Sequence, residues 1–360
     1  MCMAALTITS ISTKNGTTIN LPSSGVLCVV GGNNVGKSQF LRDIPMRVRG
    51  KSDNLPTVLV DDVDYTVLVE TNNAIEWLKS NSVEDKDSRG VITYRAPGSG
   101  NGASASNFQM WISNSPPVME PIIDWFVRAP DATQRSSNAT SQTGAGSIRD
   151  QSSSLHMLFR DGELEALLSD LCEKAFGFPL TLDRTNGNVM LRVGKPNLPS
   201  PVLQNPTVKY SDEVLNLPAL SDQGDGVKNY LGMVLHLMSG SESVTVFDEP
   251  EAFLHPAQAR ALGRHLGQEV YKRNRQLITA THDRDFVLGL LGSNCPLTIL
   301  RIDRVGNSNT FTSINSSIIA DIWSKPALRY SNLLQGLFIG LWSYARETQT
   351  VNGTQLWLTR

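Results

Sequence analysis

The chain has 360 residues, of which 40% are hydrophobic and 18% are charged, a composition typical of a globular protein large enough to bury a sizeable core. Its formal net charge of −2 excludes a general attraction to nucleic acid or to anionic membranes, so any such binding would need a local patch. No apolar run is long enough to cross a bilayer and the N-terminus lacks a basic leader, so we expect a cytoplasmic protein without a membrane span. The four cysteines lack the spacing of metal ligands and are expected to be buried thiols.

The first part of the chain predicts a hairpin, a strand, a glycine-rich loop and a helix in succession. Alternating residues at 6–11 and 17–21, separated by an Asn-Gly pair, predict a β-hairpin. The apolar run 25–30 then predicts a buried strand. Residues 31–38, GGNNVGKS, follow it and match G-x-x-x-x-G-K-[ST], the phosphate-binding P-loop. A helix over residues 39–44, ended by the proline that follows, completes the context that the motif needs.

The residues of the P-loop have distinct predicted roles. Its glycines allow backbone N–H groups to turn inward around an anion, and the helix N-terminus adds its positive dipole end. We expect Lys37 to reach the β- and γ-phosphates and Ser38 to place its hydroxyl on Mg²⁺. The residues predicted to contact the nucleotide are Gly31, Asn33, Asn34, Gly36, Lys37, Ser38 and Gln39. A chance match in a glycine-rich turn is the alternative.

The middle of the chain carries weaker signals. A basic cluster at residues 47–51 is interpreted as a solvated surface, with a nucleic-acid contact as the alternative. Residues 155–176 have the apolar spacing of an amphipathic helical region, divided near residues 161–162. The weaker predictions are strands at 58–60 and 65–69, helices at 72–80 and 118–127, a mobile loop at 98–106, a polar stretch at 134–154, a hairpin at 180–184 and 189–193, and an irregular connector at 197–218.

Two later strands end in side chains that suit phosphate chemistry. Residues 243–248 form an apolar strand that ends in the adjacent acids Asp248 and Glu249. Asp248 is predicted to hold Mg²⁺ with the P-loop hydroxyl, and Glu249 to act as general base toward the attacking water. His282 closes the strand-like segment 276–281, where it can donate a hydrogen bond to a γ-phosphate; a satisfied core histidine is the alternative.

Together these segments resemble the motifs of ABC-type ATPases, in particular the branch that includes the SMC, RecF and OLD (overcoming lysogenization defect) proteins. Ser221 and Gly224 match the serine and a glycine of the ABC signature LSGGQ, in a divergent form. The segments that carry the resemblance are Gly31–Ser38 (GGNNVGKS), Leu220–Gly226 (LSDQGDG), Val246–Pro256 (VFDEPEAFLHP) and Thr279–Asp283 (TATHD). They stand in the order of the ABC family and span most of residues 5–325.

The resemblance implies an α/β P-loop NTPase fold, with a mixed central sheet, an N-terminal antiparallel β part and an inserted helical lobe. It implies an ATPase domain over 1–325, with 97–220 as the inserted lobe, and a tail at 326–360. It also implies a homodimer in which each ATP lies between the P-loop of one subunit and the signature of the other. The signature departs from GGQ, which speaks against a transporter subunit, and Gln109 and Gln134 are both candidates for the Q-loop.

The tail bears on function. Residues 329–338 resemble the connector that precedes a Toprim nuclease domain in OLD proteins. Residues 339–360 contain a single acid, Glu347, whereas a Mg²⁺-dependent nuclease needs several clustered carboxylates. We therefore expect any nuclease to be supplied by a partner or to have been lost.

No guanine-selecting motif is present, so ATP with Mg²⁺ is the expected cofactor. The leading hypothesis is an OLD-like ATPase that regulates a separate effector, a nuclease or toxin, with possible nucleic-acid contact, in anti-phage defence. The alternatives are a RecF- or SMC-like repair ATPase, a nucleotide-locked regulatory scaffold and, least of all, a transporter ATPase.

Overall fold

The computed structural model describes residues 4–50, 57–86, 88–143, 153–185, 188–199, 207–306 and 308–314. The predicted tail therefore lies outside the described residues, as do parts of several loops. The strands are β1 (Leu6–Thr13), β2 (Thr18–Asn20), β3 (Gly25–Val30), β4 (Val60–Val67), β5 (Val83–Lys86), β6 (Ile92–Arg95), β7 (Gly102–Ala103), β8 (Val127–Arg128), β9 (Ser141–Thr143), β10 (Leu180–Asp183), β11 (Asn188–Val193), β12 (Val244–Asp248), β13 (Gln276–Thr281), β14 (Leu297–Val305) and β15 (Ser308–Ile314). The helices are α1 (Lys37–Arg49), α2 (Ala74–Ser80), α3 (Ala105–Ser113), α4 (Ala132–Asn138), α5 (Ser154–Arg160), α6 (Gly162–Phe176), α7 (Val208–Leu215), α8 (Asp225–Ser239), α9 (Pro256–Lys272) and α10 (Arg284–Leu291).

A six-stranded mixed sheet, in the order β15-β14-β3-β13-β12-β8, forms the centre of the fold. Neighbours from β14 to β8 are parallel, and β15 pairs antiparallel with β14 at one edge. Because the carboxyl ends of parallel strands meet at the same edge of a sheet, the residues that follow β3, β12 and β13 are brought together there. This edge holds the P-loop, the two acids and His282.

Two hydrophobic cores cover the two faces of the central sheet. In β3, Cys28 faces the core that contains α6, α8, α9 and α10, whereas Leu27 and Val29 face the core that contains α1 and the smaller sheet β2-β1-β4. This alternation follows from the two-residue period of a strand. The sequence of β3 is apolar throughout because both of its faces are buried, as expected for a central parallel strand.

Several predicted elements are confirmed. The N-terminal hairpin pairs Ile11 with Ile19, and the second hairpin joins β10 to β11. The helical region at 155–176 consists of α5 and α6, and the Asp161 side chain caps the start of α6 by accepting from the backbone N–H groups of Glu163 and Leu164. The described cysteines are buried free thiols.

Other predictions were wrong where tertiary packing outweighed a local signal. Helix α1 continues through Pro45 to Arg49, because Ile44 and Val48 are buried on its inner face. Arg47, assigned to a surface cluster, is buried, and its Nε donates to Thr57 Oγ1 (2.9 Å). The two strands predicted at 58–60 and 65–69 are one strand, β4, whose exposed acids interrupt the apolar pattern although it pairs with β1 along its length.

The polar and irregular segments also contain more structure than the sequence predicts. The stretch 118–127, predicted as a helix, contains only a 3₁₀ turn at Ile123–Trp125 before β8 begins. The loop predicted at 98–106 contributes β7 and the start of α3, capped by Ser104 Oγ. The polar stretch from 134 forms most of α4 and β9, and α7 lies inside the predicted connector.

A buried ionic cluster secures the end of the sheet opposite the P-loop. Glu242 Oε1 lies 2.9 Å from His236 Nε2, and Arg275 donates to the carbonyl oxygens of Leu237 and Gly240. Burial alone would raise the pKa of Glu242, but the charges of His236 and Arg275 outweigh it and hold the pKa well below its ordinary value. The cluster joins the end of α8 to the starts of β12 and β13.

The lowered pKa of Glu242 predicts a specific dependence of stability on pH. Since the folded pKa lies below the unfolded value of about 4.3, this carboxylate stabilises the fold above that pH and ceases to do so as the pH falls toward its folded pKa. We expect Glu242→Gln to lower the free energy of unfolding by about 3 kcal/mol at pH 7, because it breaks a buried ion pair. In urea titrations the difference from the parent should narrow below about pH 4.

The control for this prediction is Asp170→Asn, because Asp170 forms an exposed ion pair with Lys174 (2.6 Å) on α6. That variant should stay within about 0.5 kcal/mol of the parent. A pH-independent difference for Glu242→Gln would contradict the assignment.

Among the described residues, no helix is long and apolar enough to cross a membrane.

Candidate functional site

The P-loop joins the end of β3 to the start of α1, as its sequence predicts. Gly36 has a φ of 96°, a left-handed conformation that favours glycine at this turn, and an added Cβ there would also displace the end of the Leu59 side chain. Asn309 Nδ2 donates to the carbonyl oxygen of Val35 (2.6 Å) and braces the loop from β15. Lys37 Nζ lies inside the loop, where it donates to the carbonyl oxygens of Gly31 (3.0 Å) and Gly32 (2.7 Å).

The charge of Lys37 is set against three acids. Burial lowers the pKa of its ammonium group, while the charges of Glu249, Asp248 and Glu251 act in the opposite direction. The carboxylates after β12 therefore act on the P-loop lysine through space. The fold thus places Lys37 near acids that lie more than 200 positions away in the sequence.

Behind the loop, Asp43 holds the segment that supports it. Its buried Oδ2 accepts from the backbone N–H groups of Val58 (2.9 Å), Leu59 (2.6 Å) and Val60 (3.1 Å). Gln39, predicted to contact the nucleotide, donates from Nε2 to Asp43 Oδ1 (2.7 Å). Sequence analysis did not select Asp43; an acid on the buried face of the P-loop helix is the signal that could have identified it.

Asp248 and Glu249 form a corner at the end of β12. Asp248 Oδ1 is buried and has no hydrogen-bond partner among the described residues. Glu249 has a φ of 45°, a left-handed conformation that costs energy for a residue with a Cβ, and its N–H donates to the carbonyl oxygen of Ala280 (2.9 Å). We call these two residues the Asp248–Glu249 corner. The strand delivers both predicted acids to the edge that holds the P-loop.

His282 lies against this corner from the neighbouring strand. Its Nδ1 lies 3.4 Å from Glu249 Oε1 and 3.5 Å from Glu251 Oε1, and the side chain is 53% exposed. The alternative of a satisfied core histidine is therefore wrong, because the ring is half exposed and faces two carboxylates. Its role toward a phosphate stays a prediction.

Glu251 is a site residue that sequence analysis did not assign. Its Oε1 accepts from Thr281 Oγ1 (2.6 Å) and from the backbone N–H of His282 (3.2 Å), which fixes the residues at the end of β13. The other oxygen, Oε2, is buried without a hydrogen-bond partner among the described residues. Burial raises the pKa of this carboxyl, against the hydrogen bonds and the charge of His282.

The raised pKa of Glu251 predicts a pH dependence opposite to that of Glu242. A carboxyl that is easier to ionise in the unfolded chain destabilises the fold as the pH rises from its unfolded pKa through its folded pKa. Glutamine keeps an oxygen for the same two donors without the charge. We therefore expect the free energy of unfolding of Glu251→Gln to rise relative to that of the parent as the pH increases above the unfolded pKa of about 4.3, measured by urea titration. A relative loss over that range would contradict the assignment.

The residues that match the signature lie just before α8: Ser221 is in the 3₁₀ turn Leu220–Asp222, and Gly224 is the N-cap of α8. Ser221 and Gly224 are both exposed, and the Ser221 hydroxyl donates to Asp222 Oδ1 (3.4 Å) rather than to the P-loop of its own chain. Helix α8 behind them is mostly buried. Their assignment to a composite site stays a prediction.

The two Q-loop candidates differ in position. Gln109 lies on α3, where its Nε2 donates to the carbonyl oxygen of Thr71 (3.4 Å). Gln134 lies on α4, which follows β8, the neighbour of β12, and its side chain forms a capping box with Asp131. The residue after it, Arg135, reaches the Asp248–Glu249 corner, where Nη1 donates to the carbonyl oxygen of Asp248 (2.7 Å). Of the two candidates, Gln134 is therefore the one whose neighbouring residue is seen to contact the corner.

These residues fit a magnesium nucleotide. The orphaned carboxylate oxygen of Asp248 offers an unused ligand of the kind that Mg²⁺ prefers, and Ser38 lies in the first turn of α1. No group of three or more His, Cys, Asp or Glu side chains among the described residues could hold a metal ion by itself. A cation here would thus need phosphate oxygens to complete its shell, as magnesium does in nucleotide sites.

One protein-family model matches part of this chain. The family described as "AAA domain, putative AbiEii toxin, Type IV TA system" matches residues 158–289, about a third of the chain. That range contains the signature-like segment, the Asp248–Glu249 corner and His282, but not the P-loop. No curated protein sequence matches this one.

Among solved structures, the SMC head bound to the C-terminal winged-helix domain of ScpA is 10% identical, with 88% of this chain and 99% of that chain covered at a TM-score of 0.50. The chain has the fold of an SMC head. The SMC-head fold confirms the predicted α/β class with a mixed central sheet. An SMC head from Thermotoga maritima (14% identity, 88% and 100% coverage, TM-score 0.42) and CbiO1 of Clostridium perfringens, part of an ABC transporter complex (13%, 92% and 95%, 0.41), are also similar.

Proposed function

We propose that this chain is a Mg²⁺-dependent ATPase, which binds ATP at the P-loop and hydrolyses it with the side chains that follow β12 and β13. One observation carries the proposal. Lys37, Glu249 and His282 meet at a single sheet edge, with 3.4 Å between His282 Nδ1 and Glu249 Oε1, and the acids act on the lysine through space.

Each side chain has a distinct task in this mechanism. Lys37 would leave the carbonyl oxygens inside the loop and donate to the β- and γ-phosphates, and Glu249 would accept a proton from the attacking water. His282 would donate to a γ-phosphate oxygen while its ring stays beside Glu249. Ser38 and Asp248 would hold Mg²⁺, which when bound neutralises charge on the phosphates.

We further propose that two chains associate around ATP. The exposure of Ser221 and Gly224 supports this, because both residues are accessible to a second subunit. The N-terminus of α8 behind them would offer N–H groups and its positive dipole end to a γ-phosphate held by the partner. The ATP-binding site would then be complete only in the homodimer.

The setting we favour is an OLD-like ATPase that controls a separate effector in anti-phage defence. The match of residues 158–289 to a family described with AbiEii-type toxins and type IV toxin–antitoxin systems supports this choice over a transporter. The effector would be a nuclease or toxin, with nucleic acid as a possible further contact.

The test is phosphate release by the purified chain with saturating ATP, in Mg²⁺ and in excess chelator. We expect turnover that depends on Mg²⁺, together with a rise in mass from monomer to dimer by light scattering when ATP is added. No turnover at saturating Mg²⁺ and ATP would reject the enzymatic proposal, and an unchanged mass would reject dimerisation around ATP.

A RecF- or SMC-like role in DNA maintenance is the second candidate, and the SMC-head fold favours it. The two candidates differ in what stimulates turnover. Tight binding of DNA ends or gaps that raises the ATPase rate would favour maintenance. Co-purification of the native chain with an effector protein would favour defence.

A further inference from the structure

Arg135 is a buried arginine that the proposed ATPase mechanism does not yet use. It lies on α4, and only 3% of its surface is exposed. Its Nη1 donates to the carbonyl oxygen of Asp248 (2.7 Å), and its Cζ lies 5.9 Å from the centre of the Phe247 ring. Its Nε has no hydrogen-bond partner among the described residues. Burying a charged guanidinium without satisfying all of its donors costs free energy, which suggests that the hydrogen bond to the corner has a function.

The hydrogen bond from Arg135 holds one end of a peptide unit in the corner. The peptide unit between Asp248 and Glu249 is fixed at both ends, because its carbonyl oxygen accepts from Arg135 and its N–H donates to the carbonyl oxygen of Ala280 (2.9 Å). The first partner lies on α4 and the second on β13. A peptide plane held from two elements cannot rotate without breaking one of these bonds.

These two hydrogen bonds hold a peptide that precedes a strained residue. Glu249 has a φ of 45°, a left-handed conformation that is unfavourable for a residue with a Cβ. Without an external hold, rotation of the preceding peptide would let Glu249 relax, and its carboxylate would turn away from His282. Strain of this kind persists only where the surroundings over-determine it.

Arg135 also connects the corner to the helix that follows the signature-like segment. Gly232 of α8 packs directly on the backbone of Arg135, since an added Cβ at residue 232 would lie 1.8 Å from the Arg135 carbonyl oxygen. The position of the guanidinium is thereby tied to α8. Its own helix is held at its start by the capping box between Asp131 and Gln134, next to β8 and β12.

We propose that Arg135 is a positioning residue, which locks the peptide between Asp248 and Glu249 so that the Glu249 carboxylate faces its substrate water, and which ties this lock to the position of α8. The inference rests on the proposed ATPase function. Arg135 touches no reacting atom in this role: it acts through the main chain of the corner. Its loss should therefore impair turnover far more than nucleotide binding.

The test compares Arg135→Met, which keeps bulk but removes the donors, with Arg135→Lys, which restores one charged donor. We expect Arg135→Met to lower kcat at least tenfold, because misplacing a reacting group by about 1 Å can cost about 100-fold in rate. KM and the Kd for a fluorescent ATP analogue should stay within about threefold. Arg135→Lys should recover part of the lost kcat. A role confined to stability would lower Tm without this split between kcat and KM.

Arg275→Met is the matched control, because Arg275 is also buried and also donates to backbone carbonyl oxygens, but at the opposite end of the sheet. It should lower Tm and leave the kcat of the folded fraction unchanged. An active parent whose Arg135→Met variant keeps the parental kcat would contradict this inference alone. A parent that hydrolyses no ATP would contradict the proposed function first. If Arg135→Met does not fold, Arg135→Lys must show a reduced kcat at unchanged KM, and a parental kcat would overturn the role.

Discussion

Glu249→Gln should bind ATP as tightly as the parent and hydrolyse it at least 100-fold more slowly. The substitution keeps the shape of the side chain but removes the basic oxygen, and general-base catalysis typically contributes about 10²–10⁴ to the rate. It leaves the backbone bond from residue 249 to Ala280 in place, so the corner should keep its conformation. The measurements are single-turnover hydrolysis and the Kd for ATP.

The same variant should accumulate as a dimer in ATP if nucleotide joins two subunits as proposed, because hydrolysis would then remove the nucleotide much more slowly. Light scattering with ATP and Mg²⁺ should show a long-lived dimer in Glu249→Gln and a transient one in the parent. Glu163→Gln, an exposed substitution on α6, is the control and should match the parent in both assays. Parental turnover in Glu249→Gln would remove Glu249 as the base, and effector binding that persists unchanged in this variant would favour a scaffold in which turnover is incidental.

The sequence predicted the motif-bearing strands well because their signals are local. The P-loop and the acids after β12 each combine an apolar run with a short polar motif, so the strand and its chemistry are read from adjacent residues. His282 follows the same rule at the end of β13. The parallel order of these strands then brings the three motifs to one edge.

Residues that act across long sequence distances could not be predicted in this way. Arg135 lies in a polar stretch without hydrophobic periodicity, and its partner carbonyl is 113 positions away. Glu251 lies inside a recognised motif, yet its partners Thr281 and His282 become visible only when β12 and β13 are paired. In both cases the chemistry depends on contacts between elements rather than on spacing along the chain.

Irregular buried segments were missed for a related reason. The apolar residues at 118–127 predict a helix by composition, but most of them lie in the core that contains α1 and the sheet β2-β1-β4, while the chain follows turns and a 3₁₀ turn. Trp125 and Phe126 are almost fully buried there, and Trp125 Nε1 donates to Ser82 Oγ (2.7 Å). These side chains are therefore buried by tertiary packing, although the segment has no helical periodicity.

Lys37→Ala should weaken ATP binding about 10–100-fold and abolish turnover at ordinary ATP concentrations. A hydrogen bond to a charged group contributes about 1.5–3 kcal/mol, and each 1.4 kcal/mol corresponds to a tenfold change in Kd. The loss also removes the ammonium that the carbonyl oxygens of Gly31 and Gly32 hold inside the loop, so the acids nearby lose one of their counter-charges. Titration with a fluorescent ATP analogue measures the effect.

Two comparisons make this prediction specific to the P-loop. Lys174→Ala removes an exposed lysine that pairs with Asp170 on α6 and should leave the Kd for ATP unchanged. Lys37→Arg keeps the charge, but its planar guanidinium must fit the narrow space between two loop carbonyl oxygens, so we expect weak binding there as well. If Lys37→Ala bound ATP with the parental Kd, the loop would not be a phosphate site, because its one buried cation would then contribute nothing to an anionic ligand.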